Sequence, residues 1–186
     1  MAGRIPYGVS SMVGTLRHAL VRRPGPWIAV QDPAKWHYLA SPDAAAAMRQ
    51  HDAFTAILRK HGVQVHYHEE EEGIQGDSDS IFAHDPMLST PAGAIIMQLG
   101  KPLRQAEGDA MRNAVTKLGV PVLGQLQGDA TAEGGDCLWL DSKTLAIGEG
   151  YRTNPQGIQQ IAEMLRPHGV TVVSYQLPHF LGKDAC

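Results

Sequence analysis

Residues 60–65 read KHGVQV, residues 117–122 read KLGVPV and residues 167–172 read PHGVTV. In each, an amphipathic stretch runs into a glycine (Gly62, Gly119 or Gly169) and then into alternating β-branched residues. The pattern predicts a helix that ends at a left-handed glycine and passes into a short strand. The preceding residues carry the matching stripes. Ile158, Ile161, Ala162 and Leu165 fall at helical spacing, as do Met111, Ala114, Val115 and Leu118, with Phe54, Ile57 and Leu58 as a shorter version. Each stripe should face a core. Ser41-Pro42 and Asn154-Pro155 read as an N-cap followed by proline at the first helical position.

Working outward, strand-like sequence precedes each helix. DSIFAHDPMLSTPAGAIIMQL holds two β-rich runs around Pro91-Ala92-Gly93, and DCLWLDSKTLAIG holds two around Asp141-Ser142-Lys143. LRHALVRRP stands before the first helix, with residues 24–40 as an irregular insertion. The repeat is strand–strand–helix–strand, an α/β arrangement, with units at about 14–68, 79–125 and 133–178 and with glycines 57 and then 50 residues apart. Asp79 lies 17 residues after Gly62 and Asp136 lies 17 after Gly119, each at the expected opening of a strand. Seventeen after Gly169 is residue 186, where a fourth unit would begin. One unit cannot bury its own faces. The chain is therefore expected either to be cut from a longer one, the favoured reading, or to find its missing wall in a partner.

Composition narrows the classes. With 43% apolar and 19% charged residues the chain is of globular type. Sixteen basic against 19 acidic residues, a net charge of −3, argue against nucleic acid or an anionic membrane as the main partner. No apolar run is long enough to span a bilayer, and MAGRIPYGVSSMVG lacks the features of a secretory signal. Two cysteines make no disulfide framework, so a cytoplasmic location is the default. The phosphate, dinucleotide and zinc motifs are absent.

Four segments in order, IFAHDP (81–86), KPLRQAE (101–107), AEGGDCLWL (132–140) and GEGYRTNPQGI (148–158), carry a family likeness. The chain resembles the guanidine-modifying enzymes of the pentein fold: dimethylarginine dimethylaminohydrolase, arginine deiminase and the amidinotransferases. The resemblance implies an α/β propeller of five strand–strand–helix–strand units, of which this chain would supply about three. It implies a hydrolase acting on the guanidino group of arginine or a methylated arginine through a covalent cysteine thiouronium. The catalytic His and Cys of the family have no matching positions here, so the chain by itself is expected to be inactive.

By the same resemblance Glu133 and Asp85 are the catalytic carboxylates that grip the guanidinium, and Asp79 takes the substrate's α-amino end. Arg104 and Arg152 bind its carboxylate. The chemistry suits the residue types: a guanidinium is a planar charged fork best held by carboxylates, and arginine is the apt clamp for a carboxylate. Carboxylates deep and arginines at the rim is the expected layout. No cofactor and no metal is expected. The partners are a small guanidino compound and a second copy of the chain covering the open edge, with no nucleic acid and no membrane.

Other readings stay open. Without the resemblance, Asp79, Asp85 and Asp136 are turn-capping aspartates. Arg104 and Arg152 are then surface arginines near helix N-termini, and Glu133 is a solvated loop residue. His66 and His68 share a strand face near Glu69–Glu72, which allows weak metal binding, though a solvated edge is preferred. Cys137 reads as a buried structural thiol, Cys186 as too terminal for a nucleophile, and His179 as structural. Two rival functions follow: a non-catalytic cation-binding or assembly module, and an ordinary doubly wound domain. The latter would show three parallel crossovers on one sheet.

Overall fold

The computed structural model describes residues 5–68, 74 and 77–178. The chain forms two compact units, Thr15–Ala83 and a larger one that joins Met1–Gly14 to His84–Cys186.

In the smaller unit, strand β1 (His18–Val21) and strand β2 (Gln64–Tyr67) pair in parallel, and helix α1 (Ala44–Lys60) makes the crossover. Residues 24–40 are irregular as expected, holding short 3-10 turns at Pro26–Ile28 and Ala34–Trp36. Among the described residues this unit has one strand fewer than the repeat predicts. The cap of α1 is Asp43, whose carboxylate accepts from the Ala46 amide at 3.0 Å, and not Ser41. Ser41 instead accepts from the Val30 amide at 2.9 Å, which fixes the insertion and leaves the hydroxyl unavailable to the helix. The apolar stripe of α1 is also corrected: Phe54 and Ile57 are 51% and 57% exposed, while Thr55 is buried. The Thr55 hydroxyl bonds the Asp52 carbonyl and receives the Tyr67 hydroxyl, so a polar seam occupies the inner face.

His66 meets His18 rather than a carboxylate, ring nitrogen to ring nitrogen at 3.0 Å. No group of three or more metal-ligating side chains exists among the described residues. Glu69–Glu72, His179 and Cys186 lie outside them.

The larger unit repeats one motif twice. Strands β3 (Met87–Thr90) and β4 (Gly93–Ile96) form a hairpin, helix α2 (Glu107–Lys117) crosses, and β5 (Val122–Gln125) returns parallel to β4. Strands β6 (Cys137–Asp141) and β7 (Thr144–Glu149), helix α3 (Pro155–Leu165) and β8 (Thr171–Gln176) do the same. Parallel crossovers therefore sit in three separate small sheets, which excludes the doubly wound alternative. All three predicted helix-terminal glycines are left-handed, with φ of +81°, +74° and +71° at Gly62, Gly119 and Gly169. Asn154 caps α3 as read, accepting from the Gly157 amide at 2.8 Å. The stripes of α2 and α3 turn inward: Met111, Val115, Ile161 and Leu165 are buried. Ile161 and Leu165 join Leu88, Ile95, Leu145 and Ile147 in one apolar cluster. Among the described residues no helix is long and apolar enough to cross a membrane.

Candidate functional site

The larger unit gathers four of the five predicted site residues. Asp85 directly precedes the proline that leads into β3, where the Pro86 carbonyl accepts from Met97 at 2.9 Å. Its own carbonyl accepts from the Gly134 amide at 2.9 Å, so the start of one motif is stitched to the start of the next. This approach needs glycine: a Cβ at position 134 would lie 2.2 Å from the His84 carbonyl oxygen. Glu133, extended at φ −124°, enters the 3-10 turn Gly134–Asp136 that precedes β6.

Arg104 ends a 3-10 turn opened by Pro102, three residues before Glu107 at the start of α2. Its Nε and one Nη donate to the two Glu107 oxygens at 2.5 and 2.9 Å, and the other Nη donates to Asp85 Oδ2 at 2.9 Å. A cation beside a helix N-terminus is unfavourable, and the Glu107 carboxylate in the first turn offsets it. Burial works against the Arg104 charge, but the Glu107 and Asp85 carboxylates more than compensate and hold its pKa above the ordinary arginine value.

Arg152 donates through one Nη to both Glu133 oxygens, at 2.9 and 3.2 Å. None of the described residues accepts from its Nε or its other Nη, so one edge of the guanidinium is uncommitted. The expected layering is half corrected. Arg152 is the more exposed partner of its pair, 23% against 10% for Glu133, but Arg104 is buried beneath Asp85, 3% against 18%. Its guanidinium spans the Glu107 and Asp85 carboxylates.

The AEGGD and RTN segments are fastened residue by residue. Arg152 holds Glu133; the Thr153 hydroxyl donates to Asp136 Oδ2 at 2.6 Å; Asn154 accepts from the Thr131 amide at 3.1 Å and donates to the Asp129 carbonyl at 2.7 Å. Glu107, Asp136 and Thr153 were not singled out as site residues from the sequence. The signal was there: each lies inside one of the four quoted segments, Glu107 three residues from Arg104.

Burial pushes the Asp136 carboxyl above its usual range. The Thr153 hydroxyl pulls it back, the Asp85 charge raises it and the Arg152 charge lowers it. A carboxyl raised on folding costs stability as pH climbs from the unfolded value through the folded one, and the cost is constant above that window. Asp136→Asn should therefore flatten that part of the stability–pH profile and leave stability at pH 7 unchanged or higher, as urea denaturation between pH 3 and 7 will read. Cys137 lies next in the chain; burial first and the Asp136 charge second push its thiol up to about 12. It is the inert structural thiol expected.

Asp79 belongs to the smaller unit. It sits in the 3-10 turn Ser78–Ile81 rather than opening a strand, which corrects the reading of the 17-residue spacing. Its carboxylate is buried and accepts the Tyr38 hydroxyl, and its amide donates to Asp77 at 3.1 Å. A cavity of about 380 Å³ between residues 10–13 and 139–142 contains none of the predicted site residues.

Residues 35–180 match the family described as N,N dimethylarginine dimethylhydrolase, eukaryotic. The dimethylarginine dimethylaminohydrolase of Streptomyces coelicolor is 32% identical over 158 residues, 85% of this chain and 59% of that protein. The enzyme of the same description from Pseudomonas aeruginosa is 28% identical over 155 residues, 83% of this chain and 59% of that one. A solved structure of the Pseudomonas aeruginosa protein, a cysteine-to-serine variant complexed with citrulline, superposes with a TM-score of 0.75 at 27% identity. It aligns with 90% of this chain and 64% of that one. The chain thus spans about three fifths of the length of the relatives it matches.

Proposed function

Because the chain belongs to the dimethylarginine dimethylhydrolase family, within the guanidine-modifying pentein superfamily, we propose that it supplies the guanidinium-binding part of a guanidino-group hydrolase. Asp85 and Glu133 accept the N–H pairs of the substrate fork, and Arg152 receives the substrate carboxylate. One observation carries this reading. Asp85 keeps Oδ1 without a partner among the described residues, while Arg152 engages Glu133 through a single nitrogen, so both acceptor and donor capacity are left over. Arg104, three of whose five N–H groups go to Glu107 and Asp85, braces Asp85 and keeps the proposed role of binding the substrate carboxylate beside Arg152. Asp79 keeps its proposed role as acceptor of the substrate's α-amino end.

In the proposed reaction, a thiolate attacks the guanidino carbon and the C–N bond breaks as the imidazolium protonates the departing amine. Water then attacks the thiouronium carbon and the C–S bond breaks, giving citrulline and the thiolate, one proton returning to the imidazole and the other passing to solvent. Cys137 is unsuited to that step, so the nucleophile and its imidazole are assigned outside these residues. The repeated motif is proposed as part of a five-unit ring, about three units of which lie here. A second copy of the chain covering an open edge is the proposed assembly, tested by sedimentation velocity.

Calorimetry with arginine, a methylated arginine and lysine tests the binding claim. Both guanidino compounds should bind the 186-residue chain, and lysine, equal in charge but without the fork, should bind at least about tenfold more weakly. Equal affinities would end the reading. The longest reading frame containing these residues should form citrulline and the 186-residue chain should not; turnover by the short chain would mean the nucleophile is misassigned. A long form that binds arginine and never turns it over would establish the non-catalytic module.

A further inference from the structure

Glu133 is followed by two glycines, which restrain its backbone little, yet its carboxylate must meet a planar cation at fixed distance. The restraint comes from elsewhere. The buried Glu133 amide donates to Thr153 Oγ1 at 3.1 Å, and that hydroxyl, its lone pair so engaged, sends its single proton to Asp136 Oδ2 at 2.6 Å. The Asp136 amide donates back to the Glu133 carbonyl at 3.0 Å, closing the loop. Thr153 is fully buried, so water cannot take over its part. Resting on the reading of Glu133 as a guanidinium ligand, we propose that Thr153 and Asp136 are positioning residues: their relay grips the Glu133 peptide at both ends and aims its carboxylate at the substrate.

The relay runs one way only while Asp136 Oδ2 is an acceptor. Around Asp136 stand the Thr153 hydroxyl, the Asp85 carboxylate, the Arg152 guanidinium and the adjacent Cys137 thiol. Burial and Asp85 favour its protonation, and a proton on Oδ2 would oppose the Thr153 hydrogen. Guanidinium affinity should therefore fall as acid titrates Asp136, in a pH range above that of an ordinary aspartate.

The test uses free arginine and the 186-residue chain. Thr153→Val should weaken binding about tenfold, the scale of one buried amide losing its acceptor, while Thr153→Ser, which keeps the hydroxyl, should stay within about twofold of the parent. The affinity of the parent should decline through the Asp136 midpoint followed by carboxyl NMR. Thr153→Val should remove that decline and move the midpoint upward. If Glu133→Gln weakens binding but Thr153→Val binds like the parent, the positioning role is wrong and the guanidinium reading survives. If Glu133→Gln binds arginine normally, the guanidinium reading falls and exchange of the Glu133 amide decides the relay. At least about tenfold faster exchange in Thr153→Val, restored in Thr153→Ser, upholds the grip; unchanged exchange overturns it.

Discussion

Arg104→Met should lower stability by about 3–5 kcal/mol, the cost of removing one partner from a buried ion pair. Methionine preserves the length and apolar stem, so the loss reports the guanidinium and not a cavity. What is lost is the guanidinium that bridges Glu107, 2% exposed, and Asp85. Arg104→Lys should recover only part of the loss, because a point charge cannot bridge two carboxylates with parallel hydrogen bonds. Arg104→Met combined with Glu107→Gln should recover more, since it also withdraws the carboxylate charge that the guanidinium balanced. Urea denaturation with an unchanged slope measures all three. Full stability in Arg104→Met would show the ion pair to be solvated and would return Arg104 to the rim.

Glu133→Gln, made in the longest reading frame containing these residues, should reduce citrulline formation by about 10²–10⁴-fold, the range typical of a group acting on protons and charge at the reacting centre. Glutamine keeps the shape and one acceptor for Arg152, so the fold should survive and folding stability provides the control. The substrate cation then loses a counter-charge, and the Arg152 charge is no longer offset by Glu133. The loss should therefore fall on kcat as well as KM. Near-normal turnover would remove Glu133 from the chemistry.

The sequence disclosed the parts of the fold governed by local chemistry. Left-handed glycines at 62, 119 and 169, the Asn154 cap and the stripes of α2 and α3 each depend on a few neighbouring residues, and each is found. The stripe of α1 misleads because what lies beneath the helix is a hydroxyl seam through Thr55 and Tyr67, and spacing does not reveal the partner face. Position 41 misleads for a similar reason: its hydroxyl serves a distant amide, and Asp43 caps more strongly with a charge. At the site, the motifs located the acids and the arginines but not their pairing. Which carboxylate an arginine braces depends on what stands within 3 Å of it, and for Arg104 that includes Glu107.

The bond from the Gly134 amide to the Asp85 carbonyl ties together, through peptide groups alone, the two backbone stretches that carry the acids. In the proposed reading, the residues lining the nearby walls can be exchanged to suit larger or smaller alkyl groups on a nitrogen while that backbone tie stays in place. On that reading, a lineage could retune which amine is released without relearning how to hold the charge.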